Sequence, residues 1–168
     1  DFQKSSNYES ALEFLETAIQ LTTSLIEISK DVEFRDSIQS YYYHLMTDII
    51  ELEISHFNNE SALQKINMIE EELRNSDRFL PYYTILGQKA AIYINSSEFD
   101  SDLALQYIDS ILVNRDKFDH AVMIIGALLN KAIILNERFQ HQESLSYIEE
   151  ALLINQKTVN KEDLKAWG

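Results

Sequence analysis

Three stretches of the chain repeat one pattern: a phenylalanine, eight residues, then an isoleucine that opens the apolar face of a helix. They run from Phe57 to Ile66, from Phe99 to Ile108 and from Phe139 to Ile148. The residues just before each isoleucine recur too, as Ser61-Ala62-Leu63, Leu103-Ala104-Leu105 and Glu143-Ser144-Leu145. At the start of the chain, Glu9-Ser10-Ala11-Leu12 precedes Leu15 and Ala18 in the same manner. Helical repeats spaced by roughly 40 residues mark a solenoid, in which each unit buries its apolar face only against its neighbours. Such an architecture offers surface to a partner more readily than it builds a catalytic pocket.

Composition narrows the possibilities in the same direction. With 3 Gly and 1 Pro in 168 residues there is little material for turns, which favours long helices and short loops in a single domain over 1–168. There is no Cys, so thiol catalysis, disulfides and thiolate metal sites are excluded. The 14 Lys and Arg against 28 Asp and Glu give a formal net charge of −14. A surface of that sign repels phosphate backbones and anionic membranes, so neither nucleic acid nor a membrane is expected as a partner. No stretch approaches the roughly 20 apolar residues of a membrane span, and residues 1–20 lack the pattern of a signal peptide. A cytoplasmic location is therefore expected. The chain opens on Asp1 and closes on Lys165-Ala166-Trp167-Gly168 just after a new helix is due, which reads as a piece of something longer.

Seven helices, and the start of an eighth, follow from the 3.6-residue period. The first runs from a cap at Ser6 or Asn7 to about Ser29, with Leu12, Leu15, Ala18, Ile19, Thr22 and Ile26 inward. The second starts at Asp36 or Ser37 and ends near Ser55. The third spans about Glu60 to Asn75, and the fourth Pro81 to Asn95, where Pro81 suits a first turn. The loop 96–101 is polar, and Asp100, Ser101 or Asp102 can cap the fifth helix. The sixth is expected over Phe118 to about Glu137 and the seventh up to about Gln156, with Asn160 as cap of the eighth. Short connections make neighbouring helices antiparallel hairpins.

Chemistry-bearing motifs are sparse. His44 and Asp48 lie one turn apart, as do Asp116 and His120, but nothing supplies a third metal ligand. The glycines Gly87, Gly126 and Gly168 are isolated and form no phosphate-binding loop; Gly87 and Gly126 suit close helix packing. No cofactor, metal or enzymatic activity is expected. Tyr41-Tyr42-Tyr43 spans roughly 200° of a helix, so at least one of the three must leave the core.

The spacing of large and small residues resembles the tetratricopeptide repeat. Leu86, Ala90 and Tyr93, and again Leu128, Ala132 and Leu135, match the first helix of that repeat; Ser144, Ile148 and Ala151, and Ala11, Leu15 and Ala18, match the second. The resemblance covers about 8–156 and implies an all-α, right-handed superhelix of antiparallel helical hairpins. The repeat lengths exceed the usual 34 residues, and the proline that closes each repeat is missing. Long, degenerate repeats of this kind resemble the sensor domains of peptide-pheromone-responsive (RNPP-type) bacterial transcriptional regulators. What that resemblance implies is a ligand-sensing domain whose partner is a short peptide or protein segment, and which can form a homodimer. The alternative is a scaffold that joins proteins without a small ligand. In such arrays the groove is lined by the first helix of each hairpin, which here places His44, Thr47, Asp48 and Glu51, then Thr84, Gln88, Ala91 and Asn95, then Asn130, Ile133, Asn136 and Glu137 along it. Amides in that row could bond the backbone of an extended peptide, and the carboxylates favour a positively charged one.

Overall fold

The computed structural model describes the backbone of residues 2–95, 100–118 and 120–166, with side chains over 7–95, 100–118 and 120–158. Among the described residues it is all-α, with seven α-helices and no strand. The helices are α1 (Phe2–Ile28), α2 (Val32–Ser55), α3 (Asn59–Arg74), α4 (Phe79–Asn95), α5 (Ser101–Val113), α6 (Ala121–Glu137) and α7 (His141–Ala166). A 3-10 turn, Arg115–Lys117, precedes α6. The chain forms two compact units that divide after Pro81, within the first turn of α4.

In the first unit α2 packs against both α1 and α3. Two apolar stripes on α2 make this possible, and Ile38, Tyr43, Met46, Ile49 and Ile50 are all buried. From α3 the core receives Ala62, Ile66, Ile69 and Leu73, at the 4-3-4 spacing of one helix face. In the second unit Tyr83, Leu86 and Ala90 of α4 meet Ala104, Ile108 and Ile111 of α5, and Phe118 and Ala127 close the same cluster. The α6–α7 pair is drawn tight by Ser144, whose buried hydroxyl donates to the Ala132 carbonyl at 2.8 Å.

Several boundaries differ from expectation, each for a local reason. Helix α1 begins at Phe2, so Asn7 lies inside it rather than capping it. Helix α2 starts a turn earlier than expected because Asp31 caps it, accepting from the Phe34 N–H at 3.0 Å. Phe118 does not open α6: it is extended and buried, with its ring 4.8 Å from that of Tyr83. His120 caps α6 instead, accepting from the Met123 N–H at 3.3 Å. That separates His120 from Asp116, which sits in the 3-10 turn, so the two do not share a helix face. The eighth helix is absent as a separate element, since α7 runs unbroken to Ala166 through a stretch without Gly or Pro. Most of the polar loop 96–101, and with it Phe99, lies outside the described residues.

At its two described positions the repeated phenylalanine marks a turn, not the core. Phe57 and Phe139 follow the C-cap residues of α2 and α6, His56 and Arg138, with φ of 62° and 61°. Each helix ends on the paired bonds of a Schellman turn. After α2 the Phe57 N–H donates to Ile54 O and Asn58 N–H to Glu53 O; after α6 the Phe139 N–H donates to Asn136 O and Gln140 N–H to Leu135 O.

Candidate functional site

The surface row expected from the sequence falls in both units. In the first, the side of α2 away from α1 and α3 carries Tyr41, His44, Asp48 and Glu51, all exposed. Their 3-4-3 spacing follows one line along the helix. Thr47 departs from the row: it is buried, one turn from Tyr43 and Ile50, and its hydroxyl donates to the His44 carbonyl at 2.8 Å. The tyrosine run resolves into a buried Tyr43, a half-buried Tyr42 and an exposed Tyr41. Tyr41 therefore joins the row, an aromatic side chain beside an imidazole and two carboxylates.

In the second unit the outer face of α6 has a different chemistry. Asn136 and Glu137 are exposed and Asn130 is half-buried, and they alternate with Val122, Leu129 and Ile133, which are 73%, 41% and 49% exposed. Positions 122, 126, 129 and 133 are spaced by 4, 3 and 4 residues, so one stripe holds all four. At its centre is Gly126, where an added Cβ would meet nothing within 4 Å. Gly126 is therefore not a close-packing glycine; it leaves a notch between Val122, Leu129 and Asn130. Gly87 is also loose, because a Cβ there would make only an ordinary 3.7 Å contact with Ile111. Asn136 is oriented by His141, whose Nδ1 lies 2.9 Å from its side-chain oxygen.

Helix α4 contributes less than the sequence suggested. Thr84 is half-buried and Asn95 exposed, but Gln88 is buried on the stripe it shares with Pro81, Ile85 and Ile92. The lysines near the row are engaged elsewhere. Lys89 is buried with its ammonium 5.3 Å from the Tyr107 ring centre. Lys131 pairs with Asp109 at 2.6 Å and lies 4.7 Å from the Tyr147 ring centre. Among the described residues, no group of three or more His, Asp or Glu side chains is placed to hold a metal ion, and no helix is long and apolar enough to cross a membrane.

The sequence names Asn130, Ile133, Asn136 and Glu137 for this face but leaves Val122, Gly126 and Leu129 out of the row. The available signal was that α6 is apolar on every side, Ala121 to Leu135 being interrupted only by Asn130 and Lys131. A helix apolar all round is normally enclosed. This one is not. The architecture thus defines an all-α protein of two compact helical units, with an amide-bearing apolar face left open on α6. Compared with family models, with curated proteins and with solved structures, the chain matches none.

Proposed function

We propose that the chain is a peptide- or protein-segment-binding helical repeat domain, its hairpins stacked as a right-handed superhelix. The observation that carries this reading is the outer face of α6: Val122, Leu129 and Ile133 remain open around the Gly126 notch, with Asn130 and Asn136 beside them. Apolar side chains and carboxamides alternating on a helix suit an extended segment, whose side chains enter the notch while its backbone bonds the amides. On the same helix as that face, the exposed Glu137 favours a segment bearing positive charge. Burial of Ala90, Ala104, Ala132 and Ala151 supports the repeat pattern on which the superhelix rests. From the resemblance of those repeats to pheromone sensors we take the role to be regulatory. The domain would bind a short signalling peptide in the cytoplasm and bias a transcriptional regulator between two states.

Titration with short synthetic peptides rich in apolar and basic residues, followed by calorimetry, tests the reading. Ile133→Asp and Asn130→Ala should each weaken binding at least about tenfold while leaving helicity intact. Peptide affinities indifferent to both changes would remove α6 as the site. Binding only to a folded protein, and to no short segment, would favour the scaffold alternative.

A further inference from the structure

Helix α1 carries two complete heptad seams, and α2 covers only one of them. The first seam is Tyr8, Leu12, Leu15, Ile19, Thr22 and Ile26, at spacings of 4, 3, 4, 3 and 4; these side chains are half-buried on the α2 side. The second is Ala11, Phe14, Ala18, Leu21, Leu25 and Ile28, at spacings of 3, 4, 3, 4 and 3. Its large members stand open: Phe14 is 72% exposed, Leu21 62%, Leu25 40% and Ile28 74%. A 3-4 alternation sustained over six positions is the pattern of a helix that packs along a second helix. A contiguous stripe of four large apolar side chains is on the scale of the patches of a few hundred Å² that mark interaction surfaces.

We infer that this second seam pairs with the same seam of a second copy, antiparallel, to form a two-fold dimer. Three features of α1 select that occupant. First, the positions bordering the seam on its open side are Ser10, Thr17 and Ser24, all uncharged. The hydroxyls of Thr17 and Ser24 fold back onto the carbonyls of Glu13 and Gln20, at 2.8 and 2.9 Å. Coiled-coil partners are chosen largely by charges at such flanking positions, and a chain of net charge −14 would repel itself there if they were acidic. The glutamates of α1, namely Glu9, Glu13, Glu16 and Glu27, fall instead on the side away from the seam, spaced round the helix by 100° per residue.

Second, the seam is complementary to itself when reversed. Antiparallel pairing of its six positions sets Ala11 against Ile28, Phe14 against Leu25 and Ala18 against Leu21 of the other copy. Each alanine then meets a large side chain, so the helices can approach closely without a void or a clash. Third, the same surface meets itself across a two-fold axis, which closes the assembly at two copies. This pairing is independent of the peptide-binding reading, since it uses none of the residues assigned to that site.

The test uses the whole chain, and its two charge substitutions fall on exposed residues. At high micromolar concentration, sedimentation equilibrium should give twice the monomer mass of 19.6 kDa. Leu21→Glu and Phe14→Glu should return it to monomer mass with unchanged helicity and unchanged peptide binding. Because the chain has no Cys, added thiols report the register directly. The double variant Ala11→Cys with Ile28→Cys should form a covalent dimer on oxidation, whereas neither single variant should. The two sites lie about 26 Å apart on one helix and cannot join within a copy. A wild-type chain that stays at monomer mass overturns the pairing and leaves the seam to a different protein's helix. Cross-linking by the single Cys variants overturns the antiparallel register.

Discussion

Phe57 and Phe139 hold the same left-handed backbone conformation at the ends of α2 and α6, with φ of 62° and 61°. Glycine is the favoured residue at such a position, because any Cβ there crowds the neighbouring carbonyl. Both rings are also turned outward, 81% and 84% exposed, so neither recovers the strain by burial. Phe57→Gly and Phe139→Gly should therefore each stabilise the fold, by about 1 kcal/mol after the extra freedom of the unfolded chain is subtracted. A β-branched replacement such as Phe139→Val should destabilise. Urea denaturation of the purified variants reads both signs, and a loss of stability in both glycine variants would mean that the exposed rings hold the turns together.

Ala62, Ala104 and Ser144 occupy one repeat position, four residues before the isoleucine, and all three are buried. At each the incoming helix crosses its neighbour with room for a methyl or hydroxymethyl group. Ala62→Leu and Ala104→Leu should cost about 2 kcal/mol each through forced side-chain and backbone shifts. Ser144→Ala loses only the bond to the Ala132 carbonyl, about 1 kcal/mol. Thermal unfolding should place both leucine variants below Ser144→Ala.

Gly126 joins stability to binding. Its Cβ space is open and it lies mid-helix, so Gly126→Ala should raise stability by about 1 kcal/mol through helix propensity. The same methyl fills the notch on the proposed peptide face. The expected result is a more stable protein that binds its peptide less tightly, measured by denaturation and calorimetry on one sample. Tighter or unchanged binding would show that no side chain enters at Gly126.

How much of this was legible in the sequence depends on which signals are periodic. The helices and their inward faces follow from spacing, and Ile66, Ile108, Ala90 and Leu128 are buried as spacing requires. Ends were less legible, because capping is a local competition. Asp31 outbid Asp36 through one hydrogen bond that periodicity does not see. The left-handed turns at Phe57 and Phe139 were invisible, since the usual mark of such a turn is a glycine. Thr47 and Gln88 were assigned to an open row from helix angle alone, yet each lies at the edge where a neighbouring apolar stripe begins. The second seam of α1 was present as a 3-4 alternation but was masked by the first seam, whose residues interleave with it.

Tyr43 gives the protein an alkaline limit. Burial first, and then its hydrogen bond with Glu72, raise the phenol well above its ordinary value, although Gln39, whose Nε2 lies 3.2 Å away, and Arg78 act the other way. The folded state thus holds this proton more tightly than the unfolded chain does. Its stabilising contribution is complete below the unfolded phenol value, about 10, and is lost as pH rises from there towards the folded value. Stability should be flat with respect to this group at neutral pH and fall beyond about pH 10. Tyr43→Phe should lessen that alkaline fall, at the expense of the Gln39 contact. Denaturation midpoints across pH 7 to 11 test it, and an identical alkaline slope in the variant would assign the loss to other groups.

Glu53 is 2% exposed near the end of α2, and Lys65 of α3 reaches it at 2.6 Å. Its other oxygen has no hydrogen-bond partner among the described residues, so the lysine is the main compensation for a buried negative charge. Removing that partner leaves the carboxylate desolvated and alone. Lys65→Met should therefore destabilise the chain by about 3 kcal/mol, far more than a surface ion pair contributes. Replacing the acid as well reverses the logic, because an apolar pair of similar volume has no charge to compensate. Glu53→Leu combined with Lys65→Met should recover most of the loss and can match the wild type. The double-mutant cycle, measured by urea denaturation, should show strong coupling between the two positions. Additive single effects would mean that water reaches Glu53, and that the α2–α3 junction is held by its isoleucines without help from the charge.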